Sequence, residues 1–233
     1  MMKKIFLFIT AFIIHVTLFA QDSMPTQEFV SGLRAGANYS NMIFGNDFNY
    51  SAVNPKVGFN VGAVVRLDFI NNPFELELGL LYSTKGAKVE GQNYILSDNP
   101  GIFKLNRNYQ LNYLDFPFTL NITTSNKKNW QVYVGGGIMV SMGSKGKVED
   151  KYTSESLEVN FSSPILWEDS PEGNFHKADL SYVGQVGLRI NKSLEFNASF
   201  SQSIANVDPN NDFIKNSTIS LSVIRVLNRR YVR

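Results

Sequence analysis

The sequence predicts an all-β protein, an eight-stranded antiparallel up-and-down transmembrane β-barrel. Three observations carry this: one alternating run much longer than a soluble strand, seven further segments of the same period, and connections that alternate between short and long. In the longest run, 56–69, Val57, Phe59, Val61, Ala63, Val65, Leu67 and Phe69 share one face. Gly58, Asn60, Gly62, Val64, Arg66 and Asp68 share the other. A two-residue period is that of a strand with one apolar face. Its 14 residues exceed the common strand length of about 5–6. A polar face mixing Gly, Asn, Arg and Asp suits a crowded wet interior, with the apolar face turned to lipid.

The other segments follow in order. Strand one, 30–41, sets Leu33, Ala35, Ala37 and Tyr39 outward and Arg34, Gly36, Asn38 and Ser40 inward. Strand two is 56–69. Strand three, 74–85, sets Phe74, Leu76, Leu78, Leu80 and Tyr82 outward against Glu75, Glu77, Gly79, Ser83 and Lys85. Strand four, 109–123, turns Leu114, Phe116, Phe118, Leu120 and Ile122 outward. Strand five, 130–143, turns out Trp130, Val132, Val134, Ile138, Val140 and Met142. Strand six, 178–191, holds Asp179, Gln185 and Arg189 inward. Strands seven, 194–203, and eight, 216–226, complete the set with Phe196, Ala198, Phe200, Ile219, Leu221 and Val223 outward. Pro117 falls on the inward parity beside Asp115. A proline removes a ladder donor, so a local bulge is expected there.

Connections 70–73, 125–129 and 192–193 are short; 42–55, 86–108, 144–177 and 205–215 are long. Short turns on the periplasmic side and long extracellular loops are the arrangement of outer-membrane barrels. Closure is compulsory in lipid, where an open sheet edge would leave backbone groups unpaired. Phe69, Phe74 and Trp130 beside the short turns, and Tyr39 and Tyr82 nearer the other end, read as two aromatic girdles. A lipocalin-like barrel, apolar inside, is the competing architecture. Against it, Gly58, Gly62, Gly79, Gly135, Gly137 and Gly187 all take the charged parity, where small residues make room for long ones in a narrow interior.

Lys3 and Lys4, an apolar stretch over 5–19 and Ala20 before polar Gln21 and Asp22 form a secretory signal. The expected organisation is a signal peptide over 1–20, a periplasmic segment over 21–29, the barrel over 30–227 and a tail over 228–233. Removing Lys3 and Lys4 from 22 basic residues leaves 20 against 20 acidic ones, so no basic excess points to nucleic acid. The chain has no cysteine, which excludes disulfides, thiolate metal sites and a cysteine-linked lipid anchor.

Three segments carry a resemblance. They are Gly32-Leu-Arg-Ala-Gly-Ala-Asn-Tyr-Ser40, Leu81-Tyr-Ser-Thr-Lys-Gly-Ala-Lys88 and Tyr113-Leu-Asp-Phe-Pro-Phe-Thr-Leu120, supported by Gly135-Gly-Gly137. With them the chain resembles the PorT-like outer-membrane β-barrel family of Bacteroidetes. The resemblance implies an eight-stranded barrel in a Gram-negative outer membrane and no single activity, although the family's namesake is similar to a type IX secretion factor. The chain departs from many barrels in ending on Tyr231-Val-Arg233 instead of a terminal aromatic residue.

Eight strands leave an interior just wide enough for side chains. Arg34, Arg66, Asp68, Glu75, Glu77, Lys85, Asp115, Arg189 and Glu195 should therefore pair into a plug. Catalytic, cofactor-binding and metal sites are not expected. His176 is the only histidine beyond the signal, and no nucleophile stands at a useful spacing from it. The stretch from Asp208 to Asp212 lacks the glycine and distal glutamate of a helical calcium loop and reads as a turn. The acidic segment 144–177 holds Tyr152, Phe161 and Trp167, and parts of it can extend the hairpin above the membrane. It is the expected binding surface, since loops carry function disproportionately. The expected role is structural, adhesive or in assembly, through the extracellular loops, with outer-membrane lipid around the wall and a protein or surface ligand as partner. The alternatives are a narrow porin, a secretion-associated barrel and a lipid-modifying enzyme.

Overall fold

The computed structural model describes residues 27–45, 51–69, 72–95, 102–124, 129–154, 158–167, 175–207 and 214–232. The signal over 1–20 and the turn over 208–212 lie outside the described residues. Ten strands form among the described residues: β1 (Gln27–Phe44), β2 (Ala52–Phe69), β3 (Phe74–Lys85), β4 (Ala87–Ile95), β5 (Ile102–Thr123), β6 (Trp130–Thr153), β7 (Glu158–Pro164), β8 (Ala178–Ile190), β9 (Leu194–Ser203) and β10 (Ile214–Val232). They make eight staves, because β3 and β4 are one stave interrupted at Gly86 and β7 stands outside the ring. Each stave pairs antiparallel with the next, and β10 pairs with β1 along its whole length, so the sheet closes.

Gly86 has φ 148°, and a Cβ there would run into the backbone oxygen of Tyr109. Only glycine lets the stave kink at that point. On the short-turn side, Asn191 and Lys192 have φ 51° and 56°. The amide of Ser193 donates to the carbonyl of Ile190 at 3.2 Å. Positive φ at both central residues is what a tight type I′ hairpin turn requires.

The strands run further than the sequence reading placed them. Residues 228–232, read as a tail, are strand: Val232 pairs with Gln27 and Tyr231 with Glu28. Gln27 to Phe29, read as periplasmic, belong to β1 for the same reason. Much of the long connections 86–108 and 144–177 is also sheet. There β4, the start of β5, the end of β6 and β7 form an antiparallel extension beyond the barrel. The period of two persists, but the outward residues change from apolar to polar once they leave lipid, which hides the strands from an apolar-face search.

Pro117 makes no bulge. The β3–β5 register is the same on both sides of it, with Leu78 opposite Phe118 and Leu81 opposite Asp115. Its ring fills the space left by Gly79, where a Cβ would lie 2.7 Å from Pro117 Cγ. The bulge sits at Ser144: Tyr113 faces Gly143, whereas Asn112 faces Lys145. One extra residue reverses parity, so below it even-numbered β6 residues face lipid and above it odd-numbered ones face outward.

A side chain at Gly187 would strike the ring of Tyr133, which is fully buried in the lumen. Gly184, three residues earlier, has open space on the outer face. Gly187→Val is expected to destabilise the folded barrel by about 1–3 kcal/mol, while Gly184→Ala leaves it unchanged. Urea unfolding in lipid vesicles measures both.

Candidate functional site

The lumen is built in layers, and its lowest is a ring of charge. Arg189 on β8 donates two hydrogen bonds to the Glu75 carboxylate on β3, at 2.5 and 2.6 Å. Arg66 on β2 donates to Glu195 on β9 at 2.6 Å and to Asp68 at 2.6 Å. The remaining ion pairs close the ring, Arg189 to Glu195 at 3.2 Å and Arg66 to Glu75 at 3.8 Å. All four ring members are buried. The Arg189 guanidinium also lies 4.3 Å from the centre of the Tyr133 ring, a cation–π contact.

The next layer is mainly amides and hydroxyls. Arg34 lies 3.9 Å from Glu77 and donates to Asn197 at 2.5 Å. Asn197 donates in turn to the Tyr133 hydroxyl and to Gln185. Gln185 donates to Thr119 and Asn121, both at 2.9 Å. Above a cavity of about 40 Å³, Lys85 donates to Asp115 at 2.9 Å and to Ser141 at 3.2 Å, and Ser83 donates to the other Asp115 oxygen. Each of the nine charged residues read from sequence as inward-facing thus enters a lumen pair. Sequence reasoning placed Asp179 inward but did not count it in the plug; it accepts from Ser203 at 2.7 Å and Asn216 at 3.3 Å. It also passed over Tyr113 and Tyr133. Their inward parity was the available signal.

The mouth of the lumen is apolar. Met42, Tyr109, Leu111, Tyr113, Ile165, Phe175, Val207 and Ile214 pack into one buried cluster. Trp167 meets Tyr113 edge-on at 5.2 Å and Phe175 at 6.0 Å. Its indole occupies the space that any side chain at Gly143 would need. Trp167 is therefore not part of an exposed loop surface. After β7 the chain folds back into the mouth, and burying a large ring is more favourable than leaving it in water.

Tyr152 and Phe161 do lie on the extracellular sheet, as an edge-on pair at 5.8 Å between β6 and β7. Phe161 is 56% exposed. Arg107 forms a two-bond pair with Asp150 at 2.6 and 2.8 Å. On the opposite face, hydrogen bonds from Lys151 and Lys147 hold the Glu158 and Glu149 carboxyls below the usual carboxylate range. On the barrel wall Phe69, Phe74, Trp130, Tyr39 and Tyr82 all lie on the outward parity. From Phe74 to Tyr82 is eight residues on β3. At about 3.3 Å per residue and a tilt of about 40°, that spans roughly 20 Å, close to the ~25 Å apolar band of such barrels.

Replacing Arg189 by Met removes both hydrogen bonds to Glu75 and leaves a buried carboxylate short of its partner. A loss of about 3–5 kcal/mol is expected. Adding Glu75→Leu to the same chain should recover part of it. Equilibrium unfolding of the single and double variants gives the comparison.

The family model described as "Outer membrane protein beta-barrel domain" matches residues 19–208. The comparison with curated proteins returns no match. Among solved structures, the chain is similar to Ail, the attachment invasion locus protein of Yersinia pestis, in complex with the heparin analogue sucrose octasulfate. There the identity is 14%, the TM-score 0.41, and the match covers 88% of this chain and 100% of that one. Neisserial surface protein A is 10% identical with TM-score 0.38, over 84% of this chain and 96% of the other. OprG from Pseudomonas aeruginosa is 10% identical with TM-score 0.37, over 90% and 97%. The chain belongs to the outer membrane protein β-barrel domain family, and its place is the outer membrane.

Proposed function

We propose that this protein is a non-catalytic barrel that keeps its lumen shut and acts through the extracellular sheet built from β4, β5, β6 and β7. The supporting observation is the length of β5 and β6, 22 and 24 residues, where about 9–11 suffice to cross the membrane. Roughly half of the β5–β6 hairpin therefore stands beyond the bilayer, stiffened by the nine pairs from Lys104–Thr153 to Asn112–Lys145. A rigid projecting sheet loses little conformational entropy on binding, which favours recognition. Phe161, packed edge-on against the half-buried Tyr152, supplies exposed aromatic surface there, and aromatic residues are enriched at recognition surfaces. In the finer reading, the protein is a PorT-like barrel of a Gram-negative bacterium, exported behind a signal cut after Ala20. N-terminal sequencing of the mature protein should then begin at Gln21.

The charge ring below and the apolar cluster above argue against a porin. The protein is expected to give no single-channel steps in planar bilayers, and regular openings would count for the porin reading. Outer-membrane vesicles carrying Tyr152→Ser with Phe161→Asp should lose at least tenfold in adhesion to a protein-coated surface, because truncating a hot-spot residue costs about 2 kcal/mol or more. Undiminished adhesion with the barrel still folded refutes the binding role of this face. His176→Ala should leave the lipid profile of the membrane as it was.

A further inference from the structure

The extracellular sheet has two faces of different chemistry. Ala87, Val89, Leu105, Tyr109 and Leu111 are buried on the inner face. Their neighbours in sequence point the other way. On that outer face, in the first rows above the lipid-facing wall, stand Lys56, Lys88, Lys145 and Lys147. The rows are set by register. Tyr82, Leu114 and Met142 lie side by side at the upper edge of the apolar band. Lys145 stands one row higher beside Asn112, Lys147 two rows higher beside Gln110, and Lys88 three rows higher beside Asn108. The Lys56 ammonium reaches Asn108 at 2.9 Å, near enough to Lys88 and Lys147 for the like charges to repel. In these rows of β4, β5 and β6 the carboxylate among the described residues is Glu149, bonded to Lys147 at 2.6 Å and to Asn108 at 2.7 Å. Lys88 and Lys145 are exposed and form no ion pair with a described residue.

Each row adds two residues, about 5 Å of height at the tilt of such barrels. The lysines therefore lie some 5–15 Å above the aromatic edge. A bilayer of ~30 Å hydrocarbon and ~40–45 Å total thickness has about 5–7 Å of headgroups on each side, so Lys145 stands among the headgroups and Lys147 and Lys88 stand just above them. Four cations against one carboxylate, gathered beside the wall at and just above headgroup height, form a face that repels itself in the absence of anions.

We infer that this face binds the phosphate groups of a phosphorylated glycolipid in the outer leaflet around the barrel. A free polyanion in solution could meet lysines anywhere on the extracellular sheet. The concentration of unpaired lysines in the lowest rows favours an anion held in the membrane plane. Higher up, Lys151 is already paired with Glu158 at 2.8 Å.

The test uses the full mature chain in detergent micelles, titrated with bis-phosphorylated lipid A and with its dephosphorylated form. A triple variant, K88Q/K145Q/K147Q, is compared with K104Q/K151Q, which alters lysines higher on the same sheet. A juxtamembrane lysine is worth roughly fivefold in binding. The triple variant should therefore lose on the order of a hundredfold affinity for the phosphorylated lipid, and K104Q/K151Q much less. The parent should prefer the phosphorylated form and weaken as salt is raised. Heat-modifiable mobility on gels reports folding, and K145Q alone, with a several-fold loss expected, replaces the triple variant should that fail to fold. Equal binding of both lipid forms, or parent-like binding by the folded lysine variant, overturns the inference. So does binding of a soluble polysulfated sugar in preference to the phosphorylated lipid.

Discussion

The closed ring of Arg66, Glu195, Arg189 and Glu75 is the constraint around which the rest of the lumen is arranged. Its members come from β2, β9, β8 and β3. It therefore ties one pair of adjacent staves to the pair across the interior. Charges taken out of water cost several kcal/mol each unless geometry and partners restore what hydration gave. Alternation around the ring supplies the partners, since each arginine faces both glutamates. The long guanidinium groups then dictate what the surrounding wall can carry. Tyr133 lies flat against Arg189, and Gly187 leaves room for Tyr133. A glycine inside a strand is thus explained by an arginine two residues along it.

One period of two serves three surroundings along a single strand. On β6 the outward residues from Trp130 to Met142 meet lipid and are apolar apart from Gly136. Above Ser144 the outward residues are Lys145, Lys147, Glu149 and Lys151, and the inward ones are Val148, Asp150 and Tyr152. The bulge is what makes this possible. Without the parity change the lysines would point into the mouth, where the apolar cluster packs, and Val148 and Tyr152 would face headgroups and water. A charged side chain buried there without a partner would cost more than the cluster could return. The extra residue at Ser144 therefore decides where the barrel stops behaving as a membrane wall and begins to behave as a soluble sheet with its own small core.

The membrane-crossing part was legible from the sequence because lipid imposes a continuous apolar face. Strands 74–85 and 194–203 coincide with β3 and β9 residue for residue. The nine inward charges could be picked out because parity alone sets the face. Their pairing could not, because partners such as Arg34 and Asn197 are 163 residues apart in the chain. Where strands left the membrane the outward signal vanished. Residues 87–95 and 102–108 alternate, but Lys88, Glu90, Asn106 and Asn108 read as loop when apolarity is the criterion. Trp167 was misplaced for the opposite reason. An aromatic among acidic loop residues looks exposed until the fold turns it back over Tyr113.

The two closures of the lumen rest on different physics, and the difference decides where function can reside. The cap is held by apolar burial, contributed partly by segments between strands, Ile165 and Phe175 among them. Its contacts are individually small and can be exchanged. The ring is held by charge-assisted bonds on four staves that are themselves locked into the closed sheet. Displacing the cap would expose the Lys85–Asp115 layer and a cavity of about 40 Å³, room for only a few waters. It would open no path through Arg66 and Arg189, because moving either breaks bonds to two acids at once. A solute entering from outside meets a floor. A lumen shut in this way is what the proposed function requires, since it would leave only the outer wall and the sheet above it to meet partners.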